Sequence, residues 1–197
     1  MIKTLCVFCG SSMGRQQVYA NSAQKLAEYL IEKKITLVYG GANVGLMGIL
    51  ADTMLAKNGK VIGVMPKSLV EREVAHEGLT EMHIVAGMQE RKALMADLSD
   101  AFVALPGAYG TLDELFEVLT WNQLGLINKP IGLLNIDGFF NPLLQMLDHA
   151  VKEKFLRPEH RNMLLMDSDI DSLCLRLESY QPVRAEKWIE RLKEGRI

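Results

Sequence analysis

The segment Pro106-Gly107-Ala108-Tyr109-Gly110-Thr111-Leu112-Asp113-Glu114 follows the apolar run Ala101 to Leu105. A buried strand that ends, a glycine-rich turn and a helix starting at about Thr111 would aim successive backbone N–H groups into one concavity. The helix N-terminus adds roughly half a positive charge. Such a turn binds a phosphate without any Lys or Arg. Thr111 is placed to cap the helix or to donate to the anion, and Glu114 three residues on would complete a capping box. A plain strand-to-helix turn is the alternative, and two glycines and one threonine do not decide between them.

Three further segments could share such a site. Tyr39-Gly40-Gly41-Ala42-Asn43-Val44-Gly45-Leu46-Met47-Gly48 is again a strand, a glycine-rich turn and a helix. It is no Walker A loop, because no Gly-Lys-Ser/Thr follows. It is no dinucleotide fingerprint either: Ala42 replaces the second glycine, and the next strand ends in Pro66-Lys67 rather than an acid for a ribose hydroxyl. Gly40 and Gly41 serve close packing of helix on strand or touch a ligand, with neither use favoured. Gly10-Ser11-Ser12, after the first strand, suits a phosphate or a ribose, or simply a turn. Met88-Gln89-Glu90-Arg91-Lys92 opens a helix, where a cation is unfavourable. Either these cations are solvated there or one is turned to an anion, for which Arg is the better fork.

The elements that would position these residues alternate regularly. Strand-like runs are Leu5–Cys9, Ile35–Tyr39, Val61–Met65, Glu81–Val85, Ala101–Leu105 and Ile131–Asn135. Helical patterns carry Ala23 to Ile31, then Gly45–Lys57, Gln89–Leu98, Thr111–Leu124 and Phe139–Glu153, with two short helices near Ile170–Ser179 and Ala185–Lys193. The expected fold is α/β: a Rossmann-like three-layer sandwich, its mainly parallel sheet flanked by helices. Ligands in such sheets sit beyond the strands' carboxyl ends, where the four segments fall.

Bulk properties narrow the function classes. The chain has 197 residues and formal net charge −2, with 49% hydrophobic and 23% charged residues. One core is expected, with residues 1–180 forming the catalytic domain and 181–197 a helical extension of it. Acidic and basic residues are mixed, which disfavours nucleic acid as a partner. No apolar run reaches the roughly 18 residues of a membrane span, and the N-terminal apolar stretch is too short for a signal peptide, so a cytoplasmic location is expected. The odd set Cys6, Cys9 and Cys174 argues against disulfides. His76, His83, His149 and His160 form no metal-ligand spacing, and neither a metal nor another cofactor is expected.

Taken together, the motifs resemble one family, the Lonely Guy phosphoribohydrolases, which release cytokinin bases from their riboside 5′-monophosphates. Residues 106–114 match its Pro-Gly-Gly-x-Gly-Thr-x-x-Glu, and Met88-Gln89-Glu90-Arg91-Lys92 matches its Met-x-x-Arg-Lys. Cys9-Gly10-Ser11-Ser12, Tyr39-Gly40-Gly41 and Gly45-Leu46-Met47-Gly48 match as well, and the likeness runs from about Ile2 to Tyr180. The resemblance implies hydrolysis of an N-glycosidic bond in a nucleoside 5′-monophosphate such as AMP or N6-isopentenyl-AMP. It implies a homodimer with active sites near the interface, and Arg91 and Glu114 as the catalytic pair. Nucleotide contacts are implied at Glu77, Lys92, Thr111 and Thr120, besides the turn residues Pro106, Gly107, Ala108, Tyr109 and Gly110. One departure stands out: Ala108 occupies a family glycine position, at a cost of order 1 kcal/mol if the turn needs a positive φ there. Two rival readings remain, a nucleotide-binding or sensing protein without catalysis, and a pyridoxal-phosphate lysine decarboxylase, a label the family often carries. The latter needs a Schiff-base lysine, and no lysine here has a supporting context.

Overall fold

The computed structural model describes residues 1–70 and 75–182. Seven strands form one sheet: β1 (Thr4–Phe8), β2 (Thr36–Tyr39), β3 (Val61–Pro66), β4 (Glu81–Val85), β5 (Ala101–Ala104), β6 (Ile131–Leu134) and β7 (Leu164–Asp167). Their order is β4-β3-β2-β1-β5-β6-β7, and every ladder is parallel. Parallel strands need crossovers, and the intervening segments supply them as α1 (Gln17–Lys33), α2 (Gly45–Ala56), α3 (Lys67–Val70), α4 (Met88–Asp97), α5 (Tyr109–Gln123), α6 (Asn141–Lys152) and α7 (Pro158–Arg161), while α8 (Ile170–Glu178) follows β7.

Side chains alternate across a strand, so β1 feeds both layers. Leu5 and Val7 pack with α1, α2 and α8, while Cys6 and Phe8 pack with α4, α5 and α6. The strands are therefore apolar throughout, because both faces are covered. Cys6, Cys9 and Cys174 are buried thiols that make no disulfide.

The expected Rossmann-like sandwich is thus present, with differences at its ends. The first strand stops at Phe8, leaving Cys9 in the following loop, and α5 begins at Tyr109 rather than Thr111. The expected helix from Phe139 starts at Asn141, after a 3-10 turn at Ile136–Gly138. Strand β7 was not anticipated. It is four residues long and half-buried at the sheet edge, so it lacks the dense apolar run of a central strand. The expected helix Ala185–Lys193 lies outside the described residues.

Strand order reverses direction between β1 and β5, since the chain builds outward from β1 to β4 and then returns beside β1. Loops leaving two such strands diverge to opposite layers and open a crevice at the carboxyl edge. The site sits there.

Candidate active site

The two loops at this switch point are stitched together before they part. Leu105 N–H donates to the Phe8 carbonyl (2.9 Å) and Gly10 N–H donates to the Pro106 carbonyl (3.1 Å). Between them lies a cleft of about 490 Å³, lined among others by Gly10, Ser11, Ser12, Arg91, Pro106, Gly107, Ala108, Gly110, Thr111 and Glu114. That volume suits a small molecule.

The turn after β5 is built for close approach. A Cβ on Gly107 would lie 2.0 Å from Thr111 Oγ1 and 2.9 Å from the Gly10 nitrogen, so only glycine fits. Helix α5 starts immediately afterwards, with Ala108 as its N-cap and no side-chain capping bond. Thr111 is thus the third helical residue, and the expected capping box with Glu114 does not form. Among the described residues no acceptor takes the N–H groups of Gly107, Ala108, Tyr109, Gly110 and Thr111. Unpaired amides at a helix N-terminus form an anion site. Ala108 has φ −110°, so the turn demands no glycine there and the expected penalty for alanine does not arise.

One helical turn further on, Glu114 and Arg91 meet. Arg91 Nη2 lies 3.3 Å from Glu114 Oε1, and both side chains are nearly buried, 12% and 11% exposed. Arg91 Nε also donates to the Val64 carbonyl of β3 at 3.0 Å. Of the two expectations for Arg91, solvation or turning to an anion, the second describes this: the anion it meets is the protein's own carboxylate, and a strand carbonyl helps to hold it. Lys92 likewise turns to protein acids, Asp113 at 3.1 Å and Glu117 at 2.8 Å, on the side of α5 away from the cleft.

Burial pushes the Glu114 carboxyl up to about 7, against the pull of Arg91. The carboxylate therefore titrates near neutrality, where acid–base and electrostatic roles are most effective. The linkage is unfavourable. A raised carboxyl pKa means that the folded chain binds this proton more tightly than the unfolded one. Its stabilising effect is present at low pH and is lost as pH rises from the ordinary carboxylate range through about 7.

Not every expected site residue enters the cleft. Gly40 and Gly41 stand behind it. A Cβ on Gly40 would lie 2.2 Å from Arg91 Nη2, so this glycine clears the seat of the guanidinium, and Gly41 adopts φ +83°. Tyr109 and Thr120 lie in a second hollow on the outer face of α5, with Phe116 and Trp121. Tyr109 is 92% exposed, and the Thr120 hydroxyl donates to the Phe116 carbonyl. Glu77 is exposed and lines neither hollow; its neighbour His76 is buried against Asp52 at 3.0 Å. Conversely, Tyr19 and Phe139 line the cleft without having been singled out from the sequence. Applying the carboxyl-end rule to β6 as well would have pointed to Phe139.

Comparison with known proteins follows the same line. Residues 47–177 match the family model described as "Possible lysine decarboxylase". No lysine is among the described residues lining the cleft, so the site gives that description's chemistry no support. The chain is 48% identical to a cytokinin riboside 5′-monophosphate phosphoribohydrolase of Arabidopsis thaliana over 94% of its own length and 86% of the relative's. It is also 48% identical to one of Oryza sativa subsp. japonica, over 91% of its length and 74% of the relative's. In fold it is similar to the molybdenum cofactor carrier protein of Chlamydomonas reinhardtii, with TM-score 0.68, 16% identity and coverage of 91% and 100%. It is also similar to a molybdenum cofactor binding protein of Rippkaea orientalis, with TM-score 0.66, 22% identity and coverage of 90% and 96%. At those identities the likeness concerns fold alone.

Proposed function

The chain belongs to the cytokinin riboside 5′-monophosphate phosphoribohydrolase family, and from that premise we infer how its cleft hydrolyses the N-glycosidic bond of a nucleoside 5′-monophosphate. One observation carries the reading: the buried Arg91–Glu114 pair faces the same cleft as the unpaired amides of Gly107 to Thr111. The amides and the N-terminus of α5 take the 5′-phosphate. Anchoring that remote group fixes the ribose, so its binding energy assists reaction at C1′.

As the bond between C1′ and the base nitrogen breaks, its electron pair leaves with the base and positive charge grows on the ribose. An ionised Glu114 stabilises that charge and orients the water whose oxygen attacks C1′. Arg91 keeps the carboxylate in place and favours its ionised form. The products are free base and ribose 5-phosphate. The Ser11 and Ser12 hydroxyls, in the facing loop, are available to the sugar phosphate. The hollow on α5 that holds the exposed Tyr109 and Phe116 with Trp121 suits a second copy of the chain, which would also cover Thr120. Sedimentation as a monomer at micromolar concentration would remove that assembly.

Incubation with AMP and with N6-isopentenyl-AMP, followed by chromatography, tests the reaction. Wild type should release base and ribose 5-phosphate. Glu114→Gln should bind the nucleotide and turn over at least about 100-fold more slowly. Near-normal turnover would take Glu114 out of the mechanism. Binding without products in the wild type would make the protein a nucleotide sensor.

A further inference from the structure

Phosphate anchoring and C1′ chemistry leave the aromatic residues of the cleft without a role. Phe139 lines the cleft yet is 41% exposed, and it follows a turn with two successive left-handed residues. Asp137 (φ 49°) and Gly138 (φ 69°) are both left-handed, and aspartate and glycine are among the residues that adopt that region most readily. The turn is held from below: buried Asn135 accepts the Phe140 N–H at 2.8 Å and donates to the Asn141 side chain at 2.8 Å. Phe140, 1% exposed, braces Phe139 edge-on at 5.0 Å.

A second ring arrives from a distant part of the chain. Tyr19 of α1 meets Phe139 edge-to-face, centroids 5.9 Å apart. It lies against Gly14, itself at φ +71°, where a Cβ would stand 2.8 Å from the Tyr19 ring. Two turns from distant parts of the chain thus converge on an apolar ring that two other rings contact edge-on, yet that stays exposed at the cleft. An exposed aromatic ring lining a concave pocket is where an apolar part of a ligand is gripped.

We propose that Phe139, braced by Tyr19, reads the base of the nucleotide by stacking on its ring, and so favours purine over pyrimidine nucleotides. The placement rests on the hydrolase reading, which puts the phosphate on Gly107 to Thr111 and leaves the base to the remainder of the same cleft. A ring face discriminates by area and flatness and makes no contact with a sugar phosphate.

Equilibrium binding in the Glu114→Gln background separates this from turnover, with AMP, CMP and ribose 5-phosphate as probes. Phe139→Ala should weaken AMP by about tenfold or more, weaken CMP less, and leave ribose 5-phosphate unchanged. Phe139→Leu, which keeps apolar bulk but loses the ring, should behave likewise, and Phe139→Tyr should restore AMP binding. Undiminished AMP affinity in the alanine and leucine variants overturns the proposal. So does an equal loss for AMP and ribose 5-phosphate in variants with wild-type melting temperature, and so does absence of AMP binding. A wild type that releases no base, but whose AMP affinity still depends on Phe139, would sink the hydrolase reading and leave this one standing.

Discussion

Two glycine-rich turns carry β-strands into helices at the same edge of the sheet, and they are spent on different things. After β5, the N-terminus of α5 is open: no side chain caps it, and the N–H groups of Gly107 to Thr111 have no protein acceptor among the described residues. After β2, no side chain caps α2 either, but the facing loop engages its first turn: Leu46 N–H donates to the Gly10 carbonyl at 3.1 Å. Gly45, at φ +56°, lets α2 press on the Ser11-Ser12 backbone, where a Cβ would meet atoms at 2.3 to 2.5 Å. Gly40 makes way for Arg91. Thus one turn leaves its amides open beside the cleft, and the other makes room for Arg91 and the facing loop. A glycine count cannot separate these uses; what separates them is whether the amides of the following helix already have an acceptor.

The sharpest break in this contrast is at Gly107. Gly107→Ala forces a methyl group against Thr111 Oγ1 and the Gly10 nitrogen, so the anion-binding turn and the facing loop must both shift. We expect kcat/KM to fall by about 100-fold or more, with affinity for ribose 5-phosphate falling too. Steady-state kinetics and product binding on the folded variant check this. Retention of full affinity would show that the phosphate lies elsewhere.

Gly40→Ala should separate the two turns by symptom. Its methyl group would stand 2.2 Å from Arg91 Nη2 and push the guanidinium off Glu114, while the amides of α5 are untouched. Ribose 5-phosphate affinity should hold while kcat falls about tenfold. The pH profile should move as well. In wild type, kcat/KM should rise through about 7 as Glu114 ionises. Removing the positive neighbour raises the carboxyl further, so the inflection moves to higher pH in the variant. An unmoved inflection would mean that Arg91 does not tune Glu114.

Much of this contrast was legible in the sequence, and the part that was not has physical causes. The order of strands and helices follows from apolar periodicity, because a sheet covered on both faces must be apolar throughout. The glycines at the end of β5 suggested an open turn there, with a plain strand-to-helix turn as the alternative. The motif order that resembles the family also brought Arg91 and Glu114 forward as a pair. What escaped was direction. Whether Lys92 turns to the cleft or to Asp113 and Glu117 depends on helix phase against a neighbouring helix, which no local pattern contains. Phe139 escaped because it read as the first residue of a helix, whereas the 3-10 turn at Ile136–Gly138 leaves it in the loop ahead of α6, beside the cleft. Edge strand β7 escaped because half-buried strands carry half the apolar signal.

Ala108 offers the smallest effect and the finest test of the open turn. Matching the family pattern suggests that alanine is a defect at this position. The backbone argues otherwise: at φ −110° an alanine is unstrained, and an anion contact through its N–H does not depend on the side chain. Ala108→Gly adds freedom to the unfolded chain, which costs stability, but glycine is also the better N-cap, which offsets part of that cost. The two effects are each below about 1 kcal/mol and opposite in sign. Melting temperature should therefore move by no more than about 2 °C, and kcat/KM for AMP by no more than about twofold. A large gain in activity from Ala108→Gly would mean that the bound state needs a positive φ there. The turn would then have to rearrange on binding, and its open amides would no longer be the preformed half of the comparison.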